Sequence, residues 1–363
     1  MKSSVYDKFP CVASRIRVLQ SMKSKYTTSE KFVSKETDDH GSKVKTPVIK
    51  KIDDPVTYFE KKQNSVELDM SAWKMDIFQT LKITKHFHCM KTSTLVFSGC
   101  NLGDKSGEAI AKGLVNNSTV RDLNLSKNCL GSSAVQALAR LMLVNKTLDS
   151  LDLSSNNLSD DNIIPLIHSL GNNFFLKKLN ISHNLLTDGF AAEMNLALQS
   201  KTCILEKLYL SSNLLGDTGL SSMSAGLMES NTLEFLDISW NYLNDSGMQS
   251  LGEIIKANKS LLDILICGNL ITASGAFCIA ESIKENSTLK TLKMGQNLIT
   301  SAGALEIVTT LRTCPQCVLE SLDLNGVIVD RTVSELIEDL TDLRPNLRIT
   351  NFTVAVEESD SEN

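Results

Sequence analysis

Two short clusters hold the side chains best suited to chemistry. Cys314-Pro315-Gln316-Cys317 has the spacing of a redox dithiol or of half a zinc site. Thioredoxin-type chemistry wants such a pair at a helix N-terminus after a strand, where the thiolate is stabilised. Here the pair sits where a helical stretch ends and the next strand begins. A tetrahedral zinc ion needs two further ligands, and no second pair is near. His86, His88 and Cys89 form the other cluster, but alternate residues on a helix do not share a face. No nucleophile–base pair, phosphate-cradling glycine loop or H-E-x-x-H run accompanies them. The sequence therefore points to no catalytic residue, no metal and no cofactor.

The elements that would position any functional group follow one ruler. Asn128, Asn156, Asn184, Asn213, Asn241, Asn269 and Asn297 recur every 28 residues, with one step of 29. Each follows an apolar frame, such as Leu148, Leu151 and Leu153 before Asn156, with Leu158 after it. The L-x-L core reads as a short strand of period two. The second half of each unit reads as a helix, as with Leu251, Ile254 and Ile255 after Gly247. Gly219, Gly247, Gly275 and Gly303 share one place before these helices, suiting a tight, close-packed turn. Cys100 and Val327 take the asparagine place at the two ends, giving nine units over residues 92–346. Such units stack into a right-handed α/β horseshoe, with parallel strands inside and helices outside. The asparagines themselves are structural in this reading, because a buried amide needs backbone partners where the strand bends away.

Flanking segments differ in composition. Residues 1–66 are rich in Lys, Ser and Thr and carry a net charge of +6, whereas the whole chain is −5. A disordered basic extension is expected there, able to meet an acidic surface. Residues 67–91 are densely apolar and read as a helical cap over the exposed end of the core. Residues 347–356 are rich in β-branched side chains and suggest a closing strand; residues 357–363 form an acidic tail. Residues 1–30 lack a signal-peptide core, and no run is apolar enough to span a bilayer. Nine scattered cysteines suit free thiols in a reducing compartment. A cytoplasmic protein is expected, without membrane insertion and without a nucleic-acid partner.

Candidate binding residues come from counting along the ruler. Strand residues beside the frame leucines should face into the horseshoe. They include Lys178, Lys207, Tyr209, Phe235, Asp237, Asp263, Leu265 and Lys293, with Trp240 and Tyr242 on either side of Asn241. Aromatic residues are over-represented at binding hot spots. The residue just after each asparagine place is Asn101, Cys129, Asn157, and then Leu185, Leu214, Tyr242, Leu270, Leu298, Ile328. If exposed, the six apolar residues form a rim stripe of the kind that marks an interface. If buried, they pack beneath the ascending loops. The exposure of Leu214, Leu270 and Leu298 decides.

The phrases LEFLDISWNYLNDSGMQSLGEIIKANKSL and LKTLKMGQNLITSAGALEI resemble the ribonuclease-inhibitor-like subclass of leucine-rich repeats. Together with the ending LESLDLNGVIVDRTVSELIEDL, the layout is most similar to the leucine-rich-repeat-containing protein seventy-four type. The resemblance implies an α/β leucine-rich-repeat solenoid that binds a protein and performs no catalysis. Similar repeats also occur in the Ran GTPase-activating protein and in ciliary proteins of the nexin–dynein regulatory complex. A GTPase-activating role, or an architectural role on an axonemal microtubule, are the alternatives it brings.

Overall fold

The L-x-L runs become strands of three residues. In the computed structural model, which describes residues 54–71, 73–350 and 352–355, they are β1 (Glu67–Asp69), β2 (Thr94–Val96), β3 (Asp122–Asn124), β4 (Ser150–Asp152), β5 (Lys178–Asn180), β6 (Lys207–Tyr209), β7 (Phe235–Asp237), β8 (Asp263–Leu265), β9 (Thr291–Lys293) and β10 (Ser321–Asp323). Two further short strands, β11 (Ile328–Val329) and β13 (Thr353–Val354), pair with each other, and β12 (Arg348–Thr350) pairs with β10. Strands β1 to β10 and β12 form one parallel sheet in chain order. Its register sets leucine on leucine, as in Leu95↔Leu123 and Leu123↔Leu151, so the central residue of every strand from β1 to β10 is buried.

Helices fill the other layer: α1 (Pro55–Lys62), α2 (Ile77–Thr84), α3 (Gly103–Gly113), α4 (Ser132–Val144), α5 (Asp160–Leu170), α6 (Ala191–Gln199), α7 (Asp217–Glu229), α8 (Asp245–Ala257), α9 (Ala273–Lys284), α10 (Ser301–Thr313) and α11 (Arg331–Leu343). A helix is about 10 Å wide, while parallel strands sit about 4.8 Å apart. Strand–helix units are therefore wedges, and stacking them puts the sheet on the inner, concave side.

Three ladders of side chains lock each unit to the next. In the first, Asn128 Nδ2 donates to the carbonyls of Phe97 (2.7 Å), Leu125 (3.0 Å) and Ser126 (2.9 Å). Asn156 Oδ1 then accepts from the N–H groups of Asn128 and Leu130. The pattern repeats through Asn297, and the seven amides are almost fully buried. At the first ladder's N-terminal end, Cys100 donates weakly from Sγ to the Met70 carbonyl at 3.0 Å. Burial, with Asp69 second, pushes its thiol up to about 12.

The second ladder lies between helix and strand. Asn117, Asn145, Asn173, Asn258 and Asn286 each donate from Nδ2 to a carbonyl of the preceding unit, and Oδ1 accepts from their own chain two or three residues on. The third runs along the helix starts. Asp104 accepts from the N–H groups of Gly131, Ser133 and Ala134, and Asp245 from those of Thr272 and Gly275. A carboxylate thus satisfies the orphan donors of the next helix N-terminus. A Cβ at Gly275 would lie 2.5 Å from Asp245 Oδ1, which is why that shared place takes glycine.

The ends differ from the sequence expectation. Residues 55–62, placed there in a disordered extension, form α1, because Phe59 spans the gap to Phe87 (ring centroids 5.8 Å) and is fully buried. Lysine-rich composition hid that short apolar patch, in which Pro55, Val56 and Tyr58 accompany Phe59. Residues 67–69, expected to be helical, are a strand, since Glu67-Leu68-Asp69 carries the same x-L-x pattern and Leu68 pairs with Leu95. Residues 1–53 and the acidic tail lie outside the described residues.

Candidate functional site

Inner-face side chains stand in columns because parallel strands in register stack equivalent residues. One column reads Lys178, Lys207, Phe235, Asp263, Thr291; its neighbour reads Asn180, Tyr209, Asp237, Leu265, Lys293. The sheet therefore brings together the strand residues singled out in the sequence. Tyr209 and Phe235, on adjacent strands, have ring centroids 4.7 Å apart at an interplanar angle of 34°. Lys178 Nζ lies 5.3 Å from the Tyr209 centroid, within cation–π range. Both rings are half-buried, and Lys178 and Lys207 are exposed. Burial raises the Tyr209 hydroxyl pKa, and Asp237 and Asp263 raise it further, so the acidic side of the site faces the phenol. Lys177 pairs with Glu206 at 2.6 Å along one edge.

The column of Tyr209 has a structural habit that this residue breaks. Asn124, Asp152, Asn180, Asp237 and Asp323 each accept a hydrogen bond from the backbone N–H two residues on, closing the bend after the strand. Tyr209, Leu265 and Lys293 carry no group that can accept in this way. Asp237, one of the inner-face residues expected from the sequence, keeps one oxygen on Ser239 N–H and leaves the other for a ligand.

Trp240 and Tyr242 are placed elsewhere. Trp240 holds a left-handed backbone (φ 56°), like the residue at this place in all nine repeats. Its indole covers Gly268, where a Cβ would come within 2.4 Å of the ring. Gly268 is left-handed too, but so are Lys127, Ser155, His183, Ser212 and Gln296 at the same place, so it is the Trp240 ring that demands glycine there. Trp240 is half-buried and bridges two units. Tyr242 is only 5% exposed, so its ring belongs to the interior and not to the surface on which the sequence reading placed it.

The rim column changes backbone where it changes chemistry. Asn101, Cys129 and Asn157 have φ of 57°, 53° and 59°. From Leu185 onward the left-handed turn is gone. The N–H groups of Leu185, Leu214, Tyr242, Leu270 and Leu298 instead donate to the preceding unit at 2.7–2.8 Å. Asparagine tolerates the left-handed region better than branched apolar residues, which suit an extended chain. Leu185, Leu214 and Leu270 are half-buried, Leu298 is 46% exposed and Ile328 60%. The stripe is accessible, though interrupted by Tyr242.

The two clusters with chemical potential are absorbed by the scaffold. Cys314 occupies the asparagine place of the second ladder and reaches the Lys284 carbonyl from Sγ at 3.5 Å. Arg344 covers the Cys314 and Cys317 carbonyls in turn. Both thiols are buried, and burial raises that of Cys317. His88 Nδ1 lies 2.8 Å from the Lys85 carbonyl, and Cys89 donates to that of His86. Among the described residues no group of three metal-binding side chains forms. No described helix is long and apolar enough to cross a membrane.

The family described as Leucine Rich repeat matches in six segments: residues 88–111, 116–139, 144–166, 203–224, 229–252 and 285–308. The chain is a leucine-rich-repeat solenoid. A comparison with curated protein sequences gave no match. Among solved structures, an internalin from Listeria monocytogenes is similar at 20% identity over 78% of this chain and 73% of that one, with a TM-score of 0.46. The APL1 leucine-rich repeat domain follows at 16%, 81%, 64% and 0.42. A complex containing the leucine-rich repeats of FLRT2 gives 15%, 75%, 80% and 0.43. The repeat matches and the leucine register identify this solenoid, and these distant likenesses add nothing about partners.

Proposed function

We propose that this solenoid is a non-catalytic protein-binding scaffold whose partner docks on the inner face of β5 to β8. The observation that carries the reading is the Tyr209–Phe235 ring pair, half-exposed on the sheet and framed by Lys178, Lys207, Asp263 and Leu265. Leucine-rich repeats commonly serve as protein-interaction scaffolds. Side chains from the rim, Leu185, Leu214, Leu270, Leu298 and Ile328, would border the contact, and Trp240 would support it from the bend.

Proximity labelling in cells, followed by mass spectrometry, supplies partner candidates. Purified candidate binding is then compared with that of a Tyr209→Ala, Phe235→Ala double variant. Removing two anchoring rings should weaken binding roughly 100-fold, with the thermal melt nearly unchanged. Undiminished binding by the double variant would refute the site. A captured GTPase whose hydrolysis is accelerated would turn the reading toward a GTPase activator; captured tubulin would turn it toward an axonemal structural role.

A further inference from the structure

The inner face is ordered by charge as well as by shape. Lys178 and Lys207 stand on β5 and β6, the rings of Tyr209 and Phe235 on β6 and β7, and Asp237 and Asp263 on β7 and β8. Neither Lys207 nor Asp263 forms an ion pair with another described residue. Both charges are therefore available to a ligand. The order across the strands is base, ring, acid.

Parallel strands repeat about every 4.8 Å, and an α-helix advances about 5.4 Å per turn. A helix laid across the strands thus presents roughly one side chain of a single face to each strand. Three turns span about 16 Å, close to the width of β5 to β8. An extended peptide across the same strands would advance about 6.6 Å for each same-face residue and would drift out of step by the third strand.

We propose that the partner presents an amphipathic α-helix bearing an acidic residue, then an apolar or aromatic residue one turn on, then a basic residue one further turn on. The acid meets Lys178 and Lys207, the apolar side chain packs onto the exposed edges of the contacting Tyr209 and Phe235 rings beside Leu265, and the base meets Asp263 and the unused oxygen of Asp237. This deepens the scaffold reading and rests on the same face.

Two displayed peptide libraries test it with the full chain as bait. One randomises a single face of alanine-based helices; the other randomises peptides held extended by alternating prolines. Selection should enrich helices with acid, apolar and base at successive turns. Lys207→Glu should weaken those helices tenfold or more, and exchanging their acid for lysine should restore binding to that variant. Ligands drawn mainly from the extended library, or a failure of the charge exchange to rescue, would overturn the helix proposal. If those ligands are still lost with Tyr209→Ala, Phe235→Ala, the scaffold site survives. Ligands of either kind that ignore the double variant would overturn both.

Discussion

Repeats one to three and repeats four to seven share a period and differ in what they leave exposed. In the early repeats the inner columns are short and, apart from Val96, polar: Thr94, Asp122, Asn124, Ser150 and Asp152. Asn124 and Asp152 are spent on closing their own bends. The rim residues Asn101, Cys129 and Asn157 close a left-handed turn. In the middle repeats the same inner places hold Lys178, Lys207, Tyr209, Phe235 and Leu265, and the rim joins an extended ladder. Asn180 and Asp237 still close their bends, but at Tyr209 and Leu265 the group that would serve the backbone is replaced by a ring and an aliphatic side chain. A repeat that gives up such a hydrogen bond for an exposed ring breaks a local rule of the fold, and in the proposed reading binding is what compensates.

The largest effect should come from a place common to both regions. Asn241→Ala removes four hydrogen bonds to buried backbone and should destabilise by about 3 kcal/mol or more in urea unfolding. A loss below about 1 kcal/mol would undo the structural reading of the asparagines. Gly268→Ala follows. It meets both a left-handed backbone and the Trp240 indole, so about 2 kcal/mol should be lost. Combining it with Trp240→Ala should return part of that loss, as a double-mutant cycle would show.

The rim comparison predicts a smaller asymmetry. Asn157→Leu should cost about 1 kcal/mol, because leucine is strained at φ 59°. Leu298→Asn, outside the left-handed region and 46% exposed, should cost about half as much or less. Equal costs would break the conformational account.

The smallest effect is on pH dependence. Burial pushes the Asp104 carboxyl up, but hydrogen bonds from Ala134, Ser133 and Gly131 outweigh it and hold the pKa below its ordinary value. A depressed folded pKa stabilises above the unfolded value near 3.9 and loses that contribution as pH falls through the folded one. Asp104→Asn should therefore flatten the drop in melting temperature on acidification below about pH 4. A drop as steep as in the unaltered chain would remove Asp104 from that role.

The period made the fold legible. A 28-residue ruler places strands, helices and buried amides because every unit meets the same neighbours. The second asparagine ladder was equally periodic, through Asn117, Asn145, Asn173, Asn258 and Asn286, and it explains Cys314 better than any redox motif does. Ser200 and Ser230 interrupt it, which masks its period in the sequence. The inner-face residues were legible through strand alternation. The burial of Tyr242 was not, since the switch from a left-handed to an extended backbone sits one residue past the asparagine and leaves the frame spacing unchanged. Phe59 was not legible because Val56, Tyr58 and Phe59 form too short an apolar run to set a period.

The central claim is that the middle repeats, and not the early ones, meet the partner. A photoreactive amino acid placed in turn at Lys207, Phe235 and Leu265, and at Asp122, Ser150 and Asp152, tests it in cells. The account predicts one partner cross-linked from all three middle positions and from none of the early ones. Equal cross-linking from both sets, or a partner captured only from the early repeats, would contradict it.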